Sequence, residues 1–435
     1  MVWERSPFVR RCVVGLSISL AAPMAMPVLA LEITSQVAYS YERNDNSSLT
    51  ATQEENGTVH TPSLQLGVSH EDTTLDVGID YTASREYFDE EEFDDNTIID
   101  GTGYLTWNVL PERLIFDLRN ERSERTIDAE LQNTPDNRQT VSETTANIEY
   151  NQPLFAGHIL TIEAGAQEYT TNETDNDSSG ENYSVSYTVP LGLQSNVGVI
   201  YTNDDTNFDA EDGIDYSSES VQLFFNNTTG AFSLQAAVGN TDVEQEGAPG
   251  FDAVTGNLNF GYTISDTSNV TLDIGRTVDD NSLGSGLIPT GTINEQLVDN
   301  SGLNEVFTDT RASVGYTAAV GRYNIALQAY QSEVKFENVP QNEERQGANI
   351  QITRQFSSRL SAAISLAQNE YEFTDTDRTD TVYDAEFRVD YQANPRLNMN
   401  LVYGYFDRDS SADDTNDAEV RTVLFTVSYI LLGAN

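Results

Sequence analysis

Hydrophobic and polar residues alternate along most of the chain, with apolar side chains at every second position. Residues 64–68 (LQLGV) and 383–391 (YDAEFRVDY) show the pattern clearly. Such alternation predicts β-strands with one apolar face. About 20 segments of this kind occur, each near the length of about 9–11 residues that a tilted strand needs to cross a bilayer. No amphipathic helix and no helical membrane span is predicted after the first 30 residues.

The connections between these segments alternate between short and long. Nine short connections, such as 70–74 and 392–396, alternate with ten long polar connections, such as 84–97 and 278–306. This gives an even number of strands, with both ends of the chain on the short-turn side. Outer-membrane barrels have short periplasmic turns and long external loops. The sequence therefore predicts an all-β fold, a transmembrane antiparallel up-and-down β-barrel of about 20 strands (range 16–20).

The two faces of the predicted strands favour a membrane barrel over a soluble β-sandwich. The apolar face carries tyrosines near the strand ends, as expected for interfacial girdles, and these include Tyr41, Tyr81, Tyr150, Tyr201 and Tyr405. The other face is polar, with Ser, Thr, Asn, Gln and Gly and scattered acids. A sandwich would bury the apolar face between two sheets, whereas about 20 up-and-down strands without long crossovers fit a closed barrel better.

Residues 1–30 have the features of a secretory signal peptide, which leaves 31–435 as a single barrel domain. Three arginines precede an apolar stretch over residues 13–22, and Ala30 ends a run of small residues suited to cleavage. The apolar stretch is too short to span a membrane as a helix. The only cysteine, Cys12, lies in this leader. The mature chain is therefore expected to have no disulfide, no thiolate metal site and no lipid anchor.

The chain carries a formal charge of −48 at pH 7. The leader contains three arginines and one glutamate, so its removal leaves −50. A surface of this kind repels phosphate, which excludes nucleic acid as a partner. Six of the acids lie in residues 89–95, directly after the alternating segment 73–83. This abrupt change predicts the outer edge of the bilayer, with the acids in an external loop.

Several stretches resemble one family of barrels. The segment LPERLIFDLRNERSE (110–124) contains the pattern Pro-x-Arg-Leu-x-x-Asp, and the first strand is followed by YERNDNSSLT (41–50). The segments 307–333 and 351–373 look like the family's later hairpins. The chain resembles the outer-membrane β-barrel porin family associated with bacterial exopolysaccharide and exosortase-type gene clusters. The resemblance implies a porin-like conduit, with polysaccharide as one candidate cargo, and brings no catalytic or ligand motif.

Charged side chains on the polar face of the strands are the candidate pore-lining residues. They are Asp76, Asp80, Asp100, Asp117, Arg119, Glu121, Glu149, Glu163, Asp273, Asp309, Arg311, Asp384, Glu386, Arg388 and Asp390. Because acids outnumber arginines, we predict a lumen that favours cations, and a polysaccharide cargo that is neutral or travels with cations. An alternative stays open, in which these groups form ion pairs across neighbouring strands and only make the lumen hydrophilic.

The histidines give no sign of catalysis. His60 is predicted at the top of a strand, and His70 and His158 in solvated short turns. No histidine is placed beside a serine, as a hydrolase on a barrel wall would need. We therefore predict that the protein is not an enzyme and has no cofactor.

A calcium site is a weaker candidate. Asp175, Asp177 and Ser179 match the first half of an EF-hand loop, but the twelfth position is Ser186 and strands flank the segment. The sequence therefore assigns no specific metal site. Diffuse binding of divalent cations by the acidic external loops is the favoured interpretation.

The longest connection, 278–306, is unusually apolar for an external loop, since it contains Leu287, Ile288, Ile293, Leu297 and Leu303. Barrels of 16–18 strands already enclose an aqueous channel. We therefore expect this loop either to fold inward as a constriction or to pack on its neighbours at the rim.

These features predict a non-enzymatic channel or export conduit in the outer membrane of a Gram-negative bacterium. The alternative is a structural or surface-interaction barrel that displays acidic, cation-binding loops without significant transport. The expected partners are outer-membrane lipid and lipopolysaccharide, the barrel assembly machinery, and a polysaccharide or an export apparatus.

Overall fold

The computed structural model describes ten stretches of the chain, residues 31–46, 56–89, 93–127, 137–173, 177–209, 213–280, 306–337, 342–374, 378–411 and 417–433. Within them, 20 strands form one sheet. No helix in these stretches is long and apolar enough to cross a membrane.

The first ten strands occupy residues up to 228. They are β1 (Glu32–Asn44), β2 (Gly57–Glu71), β3 (Leu75–Phe88), β4 (Asn96–Leu110), β5 (Leu114–Thr126), β6 (Arg138–Pro153), β7 (Ile159–Thr171), β8 (Ser178–Pro190), β9 (Ser195–Phe208) and β10 (Tyr216–Thr228). A single 3₁₀ turn, Phe155–Gly157, connects β6 to β7.

The other ten strands follow from residue 232. They are β11 (Phe232–Gln245), β12 (Phe251–Ser265), β13 (Ser268–Asp280), β14 (Val306–Val320), β15 (Tyr323–Phe336), β16 (Asn342–Ser357), β17 (Leu360–Phe373), β18 (Arg378–Asn394), β19 (Leu397–Ser410) and β20 (Ala418–Leu432).

The sheet closes on itself. Each strand pairs antiparallel with the strands before and after it in the chain, and β1 pairs with both β2 and β20. In that closure Val37 lies opposite Leu64 on one side and opposite Tyr429 on the other. Closure leaves no strand edge unpaired, as a barrel in lipid requires. The predicted antiparallel up-and-down barrel of 20 strands is confirmed.

The strands are longer than the alternation predicted. They contain 13 to 17 residues instead of about 9–11. The excess lies at the external end, where predicted loops turn out to be strand. The predicted loop 240–252, for example, contracts to residues 246–250 between β11 and β12. The wall of the barrel therefore extends past the segment that carries apolar residues at every second position.

The outward face of the barrel exposes a band of large apolar side chains. Leu66 is 52% exposed, Leu223 62% and Val238 58%, and Tyr150 near the end of β6 and Tyr201 in the middle of β9 are also exposed. Exposure of this much contiguous apolar surface is unfavourable in water and matches the hydrocarbon region of a bilayer. This band is the membrane-facing surface of the barrel.

The turn between β2 and β3 is fixed by one carboxylate. Oδ1 of Asp72 accepts hydrogen bonds from the backbone N–H of Thr74 (2.6 Å) and of Leu75 (2.8 Å). These two donors favour the charged carboxylate and lower the pKa of Asp72. The His70 ring lies 3.1 Å from Oδ2 of the same residue. A local Asx turn therefore sets this short periplasmic connection.

Gly101 allows β4 to separate from β5. Its φ is +149°, and a Cβ built there would lie 2.2 Å from the backbone oxygen of Asp80. Pairing between β4 and β5 begins at Gly101 and Arg122, and the external end of β4 continues beyond it without pairing to β5. The position therefore needs glycine both for its backbone conformation and for close approach to β3.

We expect Gly101→Ala to destabilise the barrel by about 1–3 kcal/mol, because the side chain meets backbone and the backbone conformation is strained. The matched control is Gly275→Ala on β13, since a Cβ at Gly275 meets nothing within 4 Å. The temperature at which the folded, SDS-resistant band converts to the unfolded band should fall for the first variant only. Equal shifts for both variants would show that Gly101 has no special role.

Candidate functional site

Polar side chains converge on one side of the sheet, which identifies that side as the concave one. The hydroxyl of Tyr330 on β15 donates to Oδ1 of Asn369 on β17 across the intervening strand, at 3.0 Å. Nε2 of Gln222 on β10 likewise lies 3.3 Å from the hydroxyl oxygen of Thr255 on β12. The opposite side carries the exposed apolar band. We therefore assign the polar side to the lumen.

The fifteen charged residues predicted on the polar face all occupy positions on this side of their strands. Seven lumen-side acids lie close together on four strands, β3, β5, β6 and β7. We call this group the acidic stripe, and it consists of Asp76, Asp80, Asp117, Glu121, Glu143, Glu149 and Glu163. Glu143 is not among the predicted pore-lining residues; it lies two residues past the predicted loop 124–141, on β6.

Like charges face each other within the acidic stripe. Glu121 lies directly opposite Glu143 in the pairing of β5 with β6. Glu149 lies directly opposite Glu163 in the pairing of β6 with β7. Directly opposed side chains on neighbouring strands are about 4.5–5.5 Å apart at Cβ, and like charges at that distance repel. In the described strands, no cationic side chain lies directly opposite these four carboxylates to neutralise them. The stripe therefore has a strong negative potential.

The hydrogen-bond donors to the stripe are mostly neutral. Gln65 donates to Asp80 at 2.7 Å, Thr106 donates to Asp117 at 2.5 Å, and Asn151 donates to Glu149. These bonds orient the carboxylates without cancelling their charge. Arg119 forms an ion pair of 3.1 Å with Glu121 on its own strand, and both side chains are largely exposed. An exposed pair of this kind contributes little to stability.

The remaining predicted residues do not join the stripe. Asp100 lies on β4 near its external end, Asp273 on β13, Asp309 and Arg311 on β14, and Asp384, Glu386, Arg388 and Asp390 on β18. Arg388 pairs with Glu386 at 3.1 Å, again within one strand. The lumen side of β8 to β12 is almost free of charge and carries Ser, Thr, Asn and Gln. The wall therefore has one sector with almost no charge, β8 to β12, and acids gather in the stripe beside it.

The external end of the lumen is packed, whereas the rest of its wall is accessible. In the described parts of the chain, eleven of the thirteen buried hydrophobic residues lie on the lumen side near the external strand ends, and they are Val141, Tyr169, Phe208, Val243, Ala253, Phe307, Val334, Phe336, Tyr371, Val382 and Ala418. Side chains lining an open pore would be exposed. Their burial indicates that the lumen is narrow at this end.

Two aromatic rings form the centre of this packed region. Phe307 on β14 is 1% exposed, and its ring centroid lies 5.4 Å from that of Phe336 on β15. Val334 completes the apolar cluster. Asp309, which the sequence placed on the lumen wall, is also buried at this level, at 8% exposure.

Buried ion pairs surround the aromatic cluster. Nε of Arg345 donates to Glu343 at 2.9 Å, and Nε of Arg378 donates to Asp380 at 2.8 Å. The hydroxyl of Ser410 also donates to Asp380, at 2.6 Å. The ten long connections predicted from the sequence include 332–345 and 368–381, so these residues were not predicted to line the wall. No alternation marks them, since the outward positions Glu344 and Gln346 are polar as well.

The three histidines have structural partners. His60 bonds to the hydroxyl of Tyr39 at 2.6 Å, and His158 bonds to the hydroxyl of Tyr187 at 2.5 Å. His70 was predicted in a solvated turn, and that prediction is wrong. It lies near the end of β2, is 8% exposed and bonds to Asp72, because the strand extends one residue past it.

Parts of the predicted metal and constriction sites lie outside the described residues. Among the calcium candidates, Asp175 is outside them, Asp177 accepts a hydrogen bond from the backbone of Thr171 at 2.7 Å, and Ser179 lies on β8. The described stretches contain no group of three or more His, Cys, Asp or Glu side chains suited to hold a metal ion. All of the constriction candidates fall outside the described residues; they are Leu287, Ile288, Ile293, Leu297 and Leu303.

The strands at the carboxyl end match a known family. Residues 344–429, which cover most of β16 through β20, match the sequence model of the family described as putative beta-barrel porin 2. The resemblance to a barrel porin family is confirmed for this part of the chain. No curated protein matches the chain significantly.

Solved outer-membrane transporters share the fold. The FrpB iron transporter from Neisseria meningitidis, in its apoprotein form, is 9% identical with a TM-score of 0.52, and the match covers 92% of this chain and 81% of that chain. The ferric citrate transporter FecA in its unliganded form is 12% identical with a TM-score of 0.50, covering 92% of this chain and 79% of that chain. At this identity the likeness shows the barrel fold alone. The fold is that of Gram-negative outer-membrane proteins.

Proposed function

We propose that the protein is a non-enzymatic outer-membrane channel whose lumen favours cations and hydroxylated solutes. The acidic stripe carries this proposal, because its seven carboxylates lie on one side of the lumen with Arg119 as the one arginine among them. Rings and clusters of carboxylates select cations in membrane pores. The porin family match of residues 344–429 supports a passive pore.

The nearly uncharged wall of β8 to β12, in which Asp204 is the one charged lumen-side residue, supports the second half of the proposal. Side chains such as Asn182, Ser184, Asn226 and Asn259 lie on the lumen side of these strands. Amides and hydroxyls exchange hydrogen bonds with water and with sugar hydroxyls at similar cost. A neutral polysaccharide, or one that travels with cations, is the export cargo that this wall fits best. Export through a signal peptide, residues 1–30, and assembly by the barrel machinery belong to the same proposal.

The packed external end favours the second candidate, a barrel that displays acidic loops without significant transport. Phe307, Phe336 and Tyr371 are all buried where an open pore would expose them. The two candidates differ in whether small solutes pass. Partners of the second candidate would be lipopolysaccharide and divalent cations at the external loops.

Solute flux into proteoliposomes separates the two candidates. We expect liposomes that contain the folded protein to swell in small neutral sugars, faster than protein-free liposomes, because the lumen wall is hydrophilic. The rate should fall steeply with sugar size, since the external end is narrow. Swelling no faster than in liposomes with heat-unfolded protein would contradict the channel and favour the display barrel.

A further inference from the structure

The periplasmic rim of the barrel is basic on one side, against the charge of the chain as a whole. Arg322, Arg359 and Arg396 lie in three successive short turns, after β14, β16 and β18, and Arg354 lies near the end of β16. All four side chains are exposed. The chain has 22 Lys and Arg against 70 Asp and Glu, so a group of four arginines is unexpected by composition.

Arg354 differs from the other three because it lies on the membrane-facing side. It is two residues from Ile352 and pairs across strands with Tyr323, and both of those side chains belong to the outward face. Its guanidinium carbon lies 5.1 Å from the centroid of the Tyr323 ring and 4.7 Å from that of the Phe356 ring. These two rings are 40% and 42% exposed. An arginine between exposed aromatic rings is suited to the interface between hydrocarbon and headgroups.

Arg322 lies beside this position. It precedes Tyr323 in the chain, and its guanidinium donates to the backbone oxygen of Phe356 at 2.9 Å. That one bond leaves most of its N–H donors available. Neither Arg322 nor Arg354 forms an ion pair with any described residue. Asp390, an acid near the periplasmic end of β18, lies on the lumen side and accepts a hydrogen bond from Asn400 at 2.7 Å.

We propose that Arg354 and Arg322 form a binding site for the phosphate of an anionic glycerophospholipid in the periplasmic leaflet. The guanidinium group presents parallel N–H donors that match a phosphate in a bidentate arrangement. The aromatic rings of Tyr323 and Phe356 lie at the level of the headgroup and upper acyl chain. This site is independent of transport through the lumen.

The site is tested by native mass spectrometry of the full-length folded protein with equal amounts of phosphatidylglycerol and phosphatidylethanolamine. We expect the wild-type protein to retain phosphatidylglycerol preferentially. Arg354→Gln should lower the ratio of the two bound lipids about fivefold, the effect of about one arginine at an anionic surface. Arg322→Gln combined with Arg354→Gln should lower the ratio further. Arg354→Lys should give an intermediate ratio, because lysine keeps the positive charge but lacks the parallel N–H donors of the guanidinium group.

The matched control is Arg276→Gln, which removes an exposed, outward-facing arginine from β13 of the same half of the barrel, nearer the external end. Its lipid ratio should equal that of the wild type. An unchanged ratio in Arg354→Gln, or an equal loss in Arg276→Gln, would overturn the proposal. Loss of lipid binding on addition of inorganic phosphate at millimolar concentration would also overturn it, since the site would then bind small anions. The SDS-resistant folded band verifies that each variant is folded.

Discussion

Replacing five acids of the stripe by their amides, in the variant with Asp76→Asn, Asp80→Asn, Asp117→Asn, Glu149→Gln and Glu163→Gln, should lower the preference of the pore for K⁺ over Cl⁻ by roughly tenfold. That factor corresponds to a loss of about 1.4 kcal/mol of attraction for the cation. The charges to be removed are oriented by neutral donors, so the amides retain the local hydrogen-bond geometry. The measurement is the reversal potential in a planar bilayer under a KCl gradient.

The control for this variant removes the same number of negative charges from the outward face of the barrel. Five exposed acids face outward at the external end, and their amide replacements are Glu181→Gln, Asp242→Asn, Asp252→Asn, Glu344→Gln and Glu372→Gln. Because the wall and about 10 Å of electrolyte screening separate them from the lumen, we expect nearly unchanged selectivity. If the two variants shift the reversal potential equally, selectivity arises from the surface charge of the whole protein and not from the stripe.

Opening the packed external end should increase the single-channel conductance severalfold. The variant Phe307→Ala with Phe336→Ala removes the two rings that lie 5.4 Å apart at the lumen side of β14 and β15. Each truncation is expected to cost about 3–5 kcal/mol of stability, because both rings are buried. The conductance therefore has to be measured on protein that still shows the folded band.

Two outward-facing phenylalanines provide the comparison for that experiment. Phe387 and Phe425 are 43% and 40% exposed on the membrane side, so Phe387→Ala with Phe425→Ala removes the same number of rings without affecting the lumen. Its conductance should equal that of the wild type. If the Phe307 and Phe336 variant also has the conductance of the wild type, the narrowest part of the pore lies elsewhere.

The sequence alone is enough to predict the barrel because lipid on one side and water on the other force alternation. Residues 383–391 show this directly, with Tyr383, Phe387 and Tyr391 outward and Asp384 and Arg388 on the lumen side. The short turns are equally visible, since Pro395 and Arg396 interrupt the pattern where β18 ends. Strand number and the assignment of the two faces follow from these features.

The external strand ends could not be predicted by the same reasoning. Beyond the bilayer the outward face meets water, so Glu344 and Glu372 occupy positions that would be apolar deeper in the membrane. With both faces polar, the alternation disappears while strand pairing continues. The buried residues Arg345 and Asp380 were therefore read as loop. Burial of a lumen residue depends on contacts with side chains from strands that are distant in the sequence. A local sequence pattern cannot predict such contacts.

The basic rim was also missed, for a different reason. Arg322 and Arg354 are 32 residues apart in the chain, and only the pairing of Tyr323 with Arg354 brings them together. Single arginines near turns carry no signal individually. Their position on the membrane-facing side, between two exposed rings, emerges only from the register of β15 with β16.

The reversal potential of the wild-type protein under a KCl gradient tests the central claim most directly. A lumen with an acidic stripe on β3, β5, β6 and β7 and a nearly uncharged wall on β8 to β12 predicts a potential of the sign that K⁺ permeation gives. The preference should weaken as the salt concentration rises, because screening shortens the range of the carboxylate field. A potential of the opposite sign, which reports a preference for Cl⁻, would contradict the assignment of the stripe to the pore.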